Sequence, residues 1–187
     1  MKKHACAALA LLTAAALTLT GCDALSSLTG SDGYEEGRMG DTMETYFFDY
    51  TVNSAYLCNE YAGTTPSGGN VFLVAEVTVK NTDTRSIEMY DTDFQAQWGS
   101  EGEEDYRFPI TTDMDTGEEL APLTEDQLPG TYPLAVDEEV TGLLVYEVPT
   151  GFQDFSISYM EYFDDDSTGD VYFVYFTPED QTTPVSA

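Results

Sequence analysis

Apolar and polar positions alternate with a period of two along much of the chain, which is the pattern of half-buried β-strands. The clearest run is 71–80, where the odd-numbered apolar residues share one face and Glu76, Thr78 and Lys80 share the other. The run 171–176 is apolar on both faces, as a central or doubly covered strand would be. Similar rows predict further strands within 46–52, 94–98, 140–148 and 155–159.

Turn-forming residues separate these runs and indicate the fold class. Gly, Pro, Asn and Asp are concentrated at 66–69, 81–83, 149–151 and 166–169. Two shorter pieces, at 85–90 and 105–109, add to the number of strands, and no useful helical period occurs after residue 21. We therefore predict an all-β domain at 44–179, an antiparallel β-sandwich of seven to nine strands.

The N-terminus has the pattern of a bacterial export signal. Two lysines precede an apolar run at 5–19, which is shorter than the ~20 apolar residues of a transmembrane helix. The Leu-Thr-Gly-Cys sequence at 19–22 resembles a lipoprotein signal-peptidase site, which implies a diacylglyceryl group on Cys22. We predict a signal peptide at 1–21 and a protein lipid-anchored on the extracytoplasmic face of the cell membrane. The alternative is an ordinary secreted protein, or an uncleaved anchor, with a cysteine there by chance.

Two further segments flank the predicted sandwich. The segment 22–43 is rich in Gly and Ser and has almost no apolar periodicity. It is predicted to be a flexible linker between anchor and domain, with a loop packed on the domain as the alternative. Residues 180–187 are predicted to be a C-terminal tail.

The charge of the chain limits its partners. The formal net charge is −29, and 35 acidic residues stand against only six basic ones, two of which belong to the signal. Such a surface repels nucleic acid and anionic lipid, so we predict no nucleic-acid binding. Cationic partners, metal ions and neutral sugars stay open. A highly solvated surface for an exposed protein is the simplest explanation of the acidity.

The scarcity of His and Cys excludes several catalytic chemistries. The single histidine, His4, lies in the predicted signal, so the mature chain has neither a Ser-His-Asp triad nor a His-ligated zinc. Cys6 is also in the signal and Cys22 would carry lipid. Cys58 is then the one free thiol, and its apolar surroundings predict a buried, unreactive side chain.

Three motifs carry a resemblance to a known family. They are the strand at 71–82, the Asp-Thr-Asp-Phe sequence at 91–94 and the strand at 140–149 that ends in Val-Pro. They resemble a bacterial family of unknown function whose members are secreted or lipid-anchored and share an immunoglobulin-like sandwich, akin to a secreted mycobacterial immunogenic antigen. The resemblance covers roughly 45–178. It implies an immunoglobulin-like fold and implies no catalytic residues.

Two acidic loops are candidate calcium sites. Asp at alternate positions beside Gly supplies the hard oxygen ligands that calcium prefers. Neither loop has Glu at its twelfth position, so neither is an EF-hand, and solvated hairpin turns are the alternative. The candidate ligands are Asp164, Asp166 and Asp170 in one loop, and Asp113 and Asp115 in the other.

Tyrosines near the C-terminus are candidate ligand-binding residues. Tyr159, Tyr162, Tyr172 and Tyr175 exceed what the two faces of a sandwich must bury, and tyrosine suits the recognition of sugar or protein. The alternative is that these rings fill the core and cover the sheet.

These observations favour a cell-surface lipoprotein that acts as a non-catalytic binding or structural module. Its expected partners are the membrane, through the lipid anchor, and a protein or carbohydrate ligand. No enzymatic activity is predicted, and no cofactor apart from calcium. The alternatives are a calcium-stabilised adhesion module and a hydrolase that uses paired carboxylates.

Overall fold

The computed structural model describes residues 33–99 and 106–182, which form twelve strands and one turn of 3-10 helix at Asp91–Asp93. No helix in this part of the chain is long and apolar enough to cross a membrane. The strands are β1 (Tyr34–Arg38), β2 (Thr42–Glu44), β3 (Phe48–Cys58), β4 (Asn70–Asn81), β5 (Ile87–Tyr90), β6 (Gln95–Trp98), β7 (Tyr106–Arg107), β8 (Thr131–Leu134), β9 (Glu139–Pro149), β10 (Phe155–Tyr162), β11 (Thr168–Phe176) and β12 (Glu179–Asp180).

The strands form two sheets and a short ribbon. Sheet I has the order β1-β11-β10-β6-β7. Sheet II has the order β12-β3-β4-β9, with β2 also paired to β3, and the ribbon joins β5 to β8. The long central pairs are antiparallel, whereas the edge strands β1 and β12 pair in parallel with β11 and β3. The predicted all-β sandwich is confirmed.

The core lies between the two sheets and follows the predicted alternation. The odd-numbered residues Leu73, Ala75, Val77 and Val79 of β4 are wholly buried, facing the inner rows of sheet I. Aromatic rings join the sheets: the ring centroid of Phe48 lies 4.6 Å from that of Tyr159. Removing such rings and aliphatic chains from water is the main stabilising contribution to the fold.

A second, smaller cluster covers the outer face of sheet II. Cys58, Phe72, Val74 and Val145 pack there with Tyr61, which explains why β4 is apolar on both faces over part of its length. The buried position of Cys58 confirms the prediction for this thiol. Burial also raises the pKa of the thiol, which lowers the fraction of reactive thiolate.

The boundary and the strand number differ from the sequence-based prediction. The domain includes β1 and β2, which lie mostly inside the segment 22–43 that was predicted to be a flexible linker. These short strands are held by backbone pairing to β11 and β3, so they need no apolar alternation of their own. The described strands number twelve instead of seven to nine, because the ribbon and all edges of the sheets except β9 consist of pieces of two to five residues.

A buried carboxylate closes one end of the sandwich. Glu161, which is only 5 % exposed, accepts hydrogen bonds from the backbone N–H groups of Tyr46 (2.8 Å) and Asp170 (3.0 Å) and from the Tyr172 hydroxyl (3.0 Å). A Cβ atom at Gly169 would collide with the Glu161 side chain, so glycine is required there for this close approach. One side chain thus links β10, β11 and the turn before β3.

Glu161→Ala is expected to lower the free energy of unfolding by about 3 kcal/mol, because it leaves three donors without their acceptor. Denaturant unfolding of the full chain measures the change. Glu139→Ala, at an exposed position on β9, is the matched control and is expected to change stability by less than about 0.5 kcal/mol. Equal stabilities of the two variants would contradict the structural role given to Glu161.

Candidate functional site

Three depressions lie next to one another on the sandwich and share lining residues. The first, of about 210 Å³, lies on the outer face of sheet I. The second, of about 350 Å³, lies beside β5 and shares Asp93, Tyr159, Met160 and Tyr162 with the first. The third, of about 410 Å³, lies at the loops and shares Phe47, Arg85 and Asp164 with the second. We call them the sheet-face, middle and loop depressions, and together the aromatic groove.

The sheet-face depression has uncharged polar groups between apolar walls. Gln95, Gln97 and Ser158 contribute amides and a hydroxyl, and Phe173 and Tyr162 lie among the lining residues. The Gln97 amide donates to the Ser158 hydroxyl at 3.1 Å, which orients both groups. In the described part of the chain no hydrogen bond uses the Gln95 side-chain amide. This amide is therefore available to a ligand as donor and acceptor.

An aromatic cluster borders the loop depression. The ring centroid of Phe163 lies 5.3 Å from that of Tyr46 and 5.5 Å from that of Phe47. Tyr46 is 69 % exposed even though it is a large aromatic residue. Arg85 lines both the loop and the middle depression, with its side chain 76 % exposed and its guanidinium 3.7 Å from the Asp83 carboxylate.

The buried amide of Asn81 positions the loop that carries Arg85. It donates to the carbonyl oxygens of Arg85 (2.9 Å), Leu134 (3.1 Å) and Ala135 (3.0 Å). The backbone N–H of Asp83 donates to the Phe47 carbonyl at 3.1 Å. These bonds tie the β4–β5 connection to the ribbon and to the aromatic turn. The guanidinium therefore projects from a fixed backbone, although its own end is solvated.

Asp93 is the titratable group whose environment is most relevant to the groove. It lines the sheet-face and middle depressions and accepts the backbone N–H of Tyr90 at 2.9 Å. Burial raises the pKa of Asp93 from its ordinary 3.8 to about 6; the Tyr90 hydrogen bond opposes this shift, and the nearby Asp91 carboxylate adds to it. A partly buried carboxyl group thus borders the groove with a pKa close to neutrality.

The four predicted tyrosines do not form one surface. Tyr172 faces the core, where it stacks on Tyr159 with ring centroids 6.1 Å apart. The prediction that Tyr172 binds a ligand is therefore wrong, because its ring is covered by the facing sheet. Tyr159 is also nearly buried, although it lines two of the depressions. Tyr162 is 63 % exposed within the groove, and Tyr175 is half-buried on the outer face of sheet I.

Tyr175 belongs to an aromatic row that continues the sheet-face depression. Its ring lies nearly parallel to that of Phe173, with centroids 5.9 Å apart, and Phe173 contacts Tyr34 at 5.1 Å. The Tyr34 and Tyr175 hydroxyl groups are 2.7 Å apart, and the Arg38 guanidinium lies 5.1 Å above the Tyr175 ring. The outer side of β11 therefore presents a flat strip of rings.

Four of the predicted calcium ligands, Asp113, Asp115, Asp164 and Asp166, lie in turns or loops, whereas Asp170 lies in strand β11. Asp113 accepts the backbone N–H groups of Asp115 (3.0 Å) and Thr116 (2.8 Å), and Asp165 accepts the hydroxyl of Ser167 at 2.6 Å. Hydrogen bonds from Thr116 and Ser167 lower the pKa values of Asp113 and Asp165. Within residues 33–99 and 106–182, no three acidic, His or Cys side chains come together to hold a metal ion. Calcium binding by Asp113, Asp115, Asp164, Asp166 and Asp170 stays a prediction from sequence.

Several groove residues were not predicted from the sequence. Phe47 and Phe163 lie at turns, and Gln95 and Gln97 occupy the polar positions of an alternating strand. The run of three aromatic residues at 46–48 was the available signal, because a strand with one buried face does not need three in succession. Cys22 and the signal peptide lie outside the described residues.

A separate depression of about 590 Å³ lies around the start of β4 and the segment after β11, and it includes Val71, Phe152 and Pro178. Its lining is mostly apolar, and it contains none of the predicted tyrosines. The aromatic groove is the better candidate site because exposed rings, amides and charged groups converge in it.

Comparison with known proteins identifies the family of this all-β sandwich. Residues 37–171 match the family described as a domain of unknown function (DUF4352), and the chain belongs to that family. This confirms the predicted bacterial family of unknown function. No match was found among curated proteins.

Solved bacterial structures are similar to this chain at low sequence identity. A candidate lipoprotein (ycdA) from Bacillus subtilis matches 75 % of this chain with 15 % identity and a TM-score of 0.55. The match covers 39 % of that protein, so this chain corresponds to less than half of its length. A β-sandwich protein from Clostridium difficile matches 76 % of this chain and 94 % of its own length, with 16 % identity and a TM-score of 0.45.

Asp93→Asn is expected to make stability less dependent on pH. Between its ordinary pKa of 3.8 and about 6, the folded chain retains a proton on Asp93 that the unfolded chain has released. The contribution of Asp93 to stability therefore falls as the pH rises through this interval. We expect a fall of about 2 kcal/mol, given about 1.4 kcal/mol per pKa unit and the partial solvent contact of Asp93.

Urea unfolding at intervals from pH 4 to pH 7 measures this effect. The asparagine keeps an acceptor for Tyr90 and carries no charge, so this variant should gain stability over the native protein as the pH rises. Asp126→Asn, at an exposed position, is the control and should follow the native curve. Parallel curves for the native protein and Asp93→Asn would show that burial of Asp93 does not perturb its ionisation.

Proposed function

We propose that this protein is a cell-surface lipoprotein, anchored through Cys22 on the extracytoplasmic face of the membrane. Its sandwich acts as a non-catalytic binding module, and the aromatic groove is its binding surface. The observation that carries the proposal is the shared lining of the three depressions, along which exposed aromatic rings follow one another.

The export signal and one structural relative support the anchor. The basic residues, the apolar run at 5–19 and the cysteine at 22 stand in the order that a lipoprotein signal requires. The Bacillus subtilis protein that shares the fold is named as a candidate lipoprotein. Two acyl chains on one cysteine would hold the protein stably, at about 0.8 kcal/mol per buried CH₂ group.

Exposure and rigidity of the groove support a binding role. Tyr46, Tyr90 and Tyr162 are all exposed, which leaves much apolar ring surface in water at one site. A contiguous patch of this kind is a frequent mark of an interaction surface. The groove residues lie on strands and on turns that hydrogen bonds of Asn81 and Glu161 hold in place. The site is therefore preformed, and binding a ligand would not require these residues to become ordered.

The absence of histidine after the predicted signal argues against several common catalytic chemistries. The chain has no histidine apart from His4, so none remains once the predicted signal has been removed. In the described ranges, no cluster of potential ligands provides a metal centre. Nucleophilic catalysis by a Ser-His or Cys-His pair, and catalysis by a His-ligated zinc, would lack their essential residues.

A carboxylate-based hydrolase is the second candidate function, and Asp93 is the observation that favours it. A carboxyl group with a pKa of about 6 in a groove is suited to general acid catalysis, and Glu88 and Asp164 also line the middle depression. The Tyr90 hydrogen bond gives Asp93 a structural role as well, since it fixes the turn between β5 and β6.

The lipid anchor is tested by Cys22→Ser. Mass spectrometry of the native protein should show an N-terminal acylated Cys22, and cell fractionation should find the native protein with the membrane. The variant should lose the lipid mass and leave the membrane fraction. Cys58→Ser is the matched control and should remain acylated and membrane-bound. A native protein that begins at Met1, or one without lipid, would refute the anchor.

Catalysis is tested by incubating the full chain with soluble oligosaccharides and measuring the reducing ends that are released. We expect no release above a protein-free control. Release by the native protein that ceases in Asp93→Asn, while Asp126→Asn stays active, would instead establish the hydrolase.

A further inference from the structure

The sheet-face depression provides the chemistry that a sugar ring requires. A pyranose ring has hydroxyl groups around its edge and patches of C–H bonds on its faces. The amides of Gln95 and Gln97 offer donors and acceptors for the edge, and the buried Ser158 hydroxyl holds the Gln97 amide in place. Phe173 and Tyr162 line the same depression and offer apolar ring surface for a face.

The dimensions of the groove favour a chain of rings over a single compact ligand. The sheet-face depression, of about 210 Å³, is smaller than the roughly 300–1,000 Å³ of cavities that enclose drug-sized ligands, and the middle and loop depressions, of about 350 and 410 Å³, are at the lower end of that range. Consecutive depressions share lining residues, and each has aromatic rings: Phe173 and Tyr162 in the first, Tyr90 in the second, Phe163 and Tyr46 in the third. A linear ligand can therefore occupy one depression after another.

The charges along the groove argue against an anionic ligand. The net charge of −29 repels an anionic chain. A cationic chain would meet the Arg85 guanidinium but also the carboxylates of Glu88, Asp93 and Asp164, so a lysine-rich peptide is the competing ligand for this groove. Carboxylates such as Glu88 and Asp164 in the same groove are good acceptors for pairs of sugar hydroxyl groups.

We propose that the aromatic groove binds an uncharged glycan chain, with one sugar ring in the sheet-face depression between Phe173 and Tyr162 and its hydroxyl groups on Gln95 and Gln97. The inference rests on the proposed function, because it names the ligand class of that same surface. The chain continues past Tyr162 into the middle and loop depressions, toward Phe47 and Phe163.

The test is isothermal titration calorimetry of the full chain in detergent with three soluble probes: oligomers of glucose, oligomers of N-acetylglucosamine, and a lysine-rich peptide. We expect at least one of the two neutral glycans to bind and the peptide not to bind. Tyr162→Ala should weaken glycan binding at least about fivefold, since a ring stacked on a ligand contributes on the order of 1 kcal/mol.

Two further variants separate local chemistry from general effects. Gln95→Leu keeps the approximate size of the side chain and removes its amide, so it should also weaken glycan binding. Phe152→Ala removes an exposed aromatic ring outside the groove and should leave the affinity unchanged. The melting temperature of each variant shows that it is folded, and Tyr162 is exposed enough for its loss to be tolerated.

The outcomes distinguish the inference from the proposed function. Glycan binding that Tyr162→Ala and Gln95→Leu weaken supports the inference. If only the peptide binds, and Tyr162→Ala weakens that binding, the inference of a glycan ligand is overturned. The groove then remains a binding surface. Glycan affinity that is unaffected by either substitution, or no binding of any probe, overturns the inference and counts against the groove as well.

Discussion

The aromatic packing between the two sheets determines which surfaces are left for binding. Phe48, Phe94 and Tyr159 meet in the core with ring centroids 4.6–6.3 Å apart, and Tyr172 stacks on Tyr159 from the next strand. Since neighbouring side chains of a strand point to opposite faces, burying these rings turns Met160 and Phe173 outward. The outer face of sheet I is thus a consequence of the core, and its rings cannot be moved without shifting the register of β10 and β11.

The central strands were predictable because a half-buried strand shows its packing in its own sequence. The alternation at 71–80 matches the buried row of β4 residue by residue, and the rows at 94–98 and 155–159 do the same for β6 and β10. The edge strands were not predictable in this way. The strand β1 forms because its backbone pairs with β11, more than 130 residues further along the chain, and local pattern carries no information on such a partner.

The groove was harder to predict than the fold because its residues come from separate segments. Tyr162 was predicted from the sequence as a ligand-binding residue. Arg85 was not, because its place in the groove depends on the hydrogen bonds that Asn81 makes to the Arg85 loop and to the ribbon. In the acidic loops the sequence instead suggests a site that the local structure explains in another way. Asp113 was predicted as a metal ligand, but its carboxylate accepts hydrogen bonds from the backbone N–H groups of its own turn. In a chain with 35 acidic residues, such local hydrogen bonds account for many carboxylates.

The edge strand β1 has a further consequence for a protein that is proposed to be anchored on the cell surface. Without it, β11 would expose a row of unpaired backbone groups next to Tyr172, Phe173 and Val174, which is a template for pairing with another molecule. Tethering many copies to one membrane raises their effective concentration and so increases this hazard. By covering that edge with a short strand that carries Glu35, Glu36 and Arg38, the chain protects crowded neighbours from assembling into a continuous sheet.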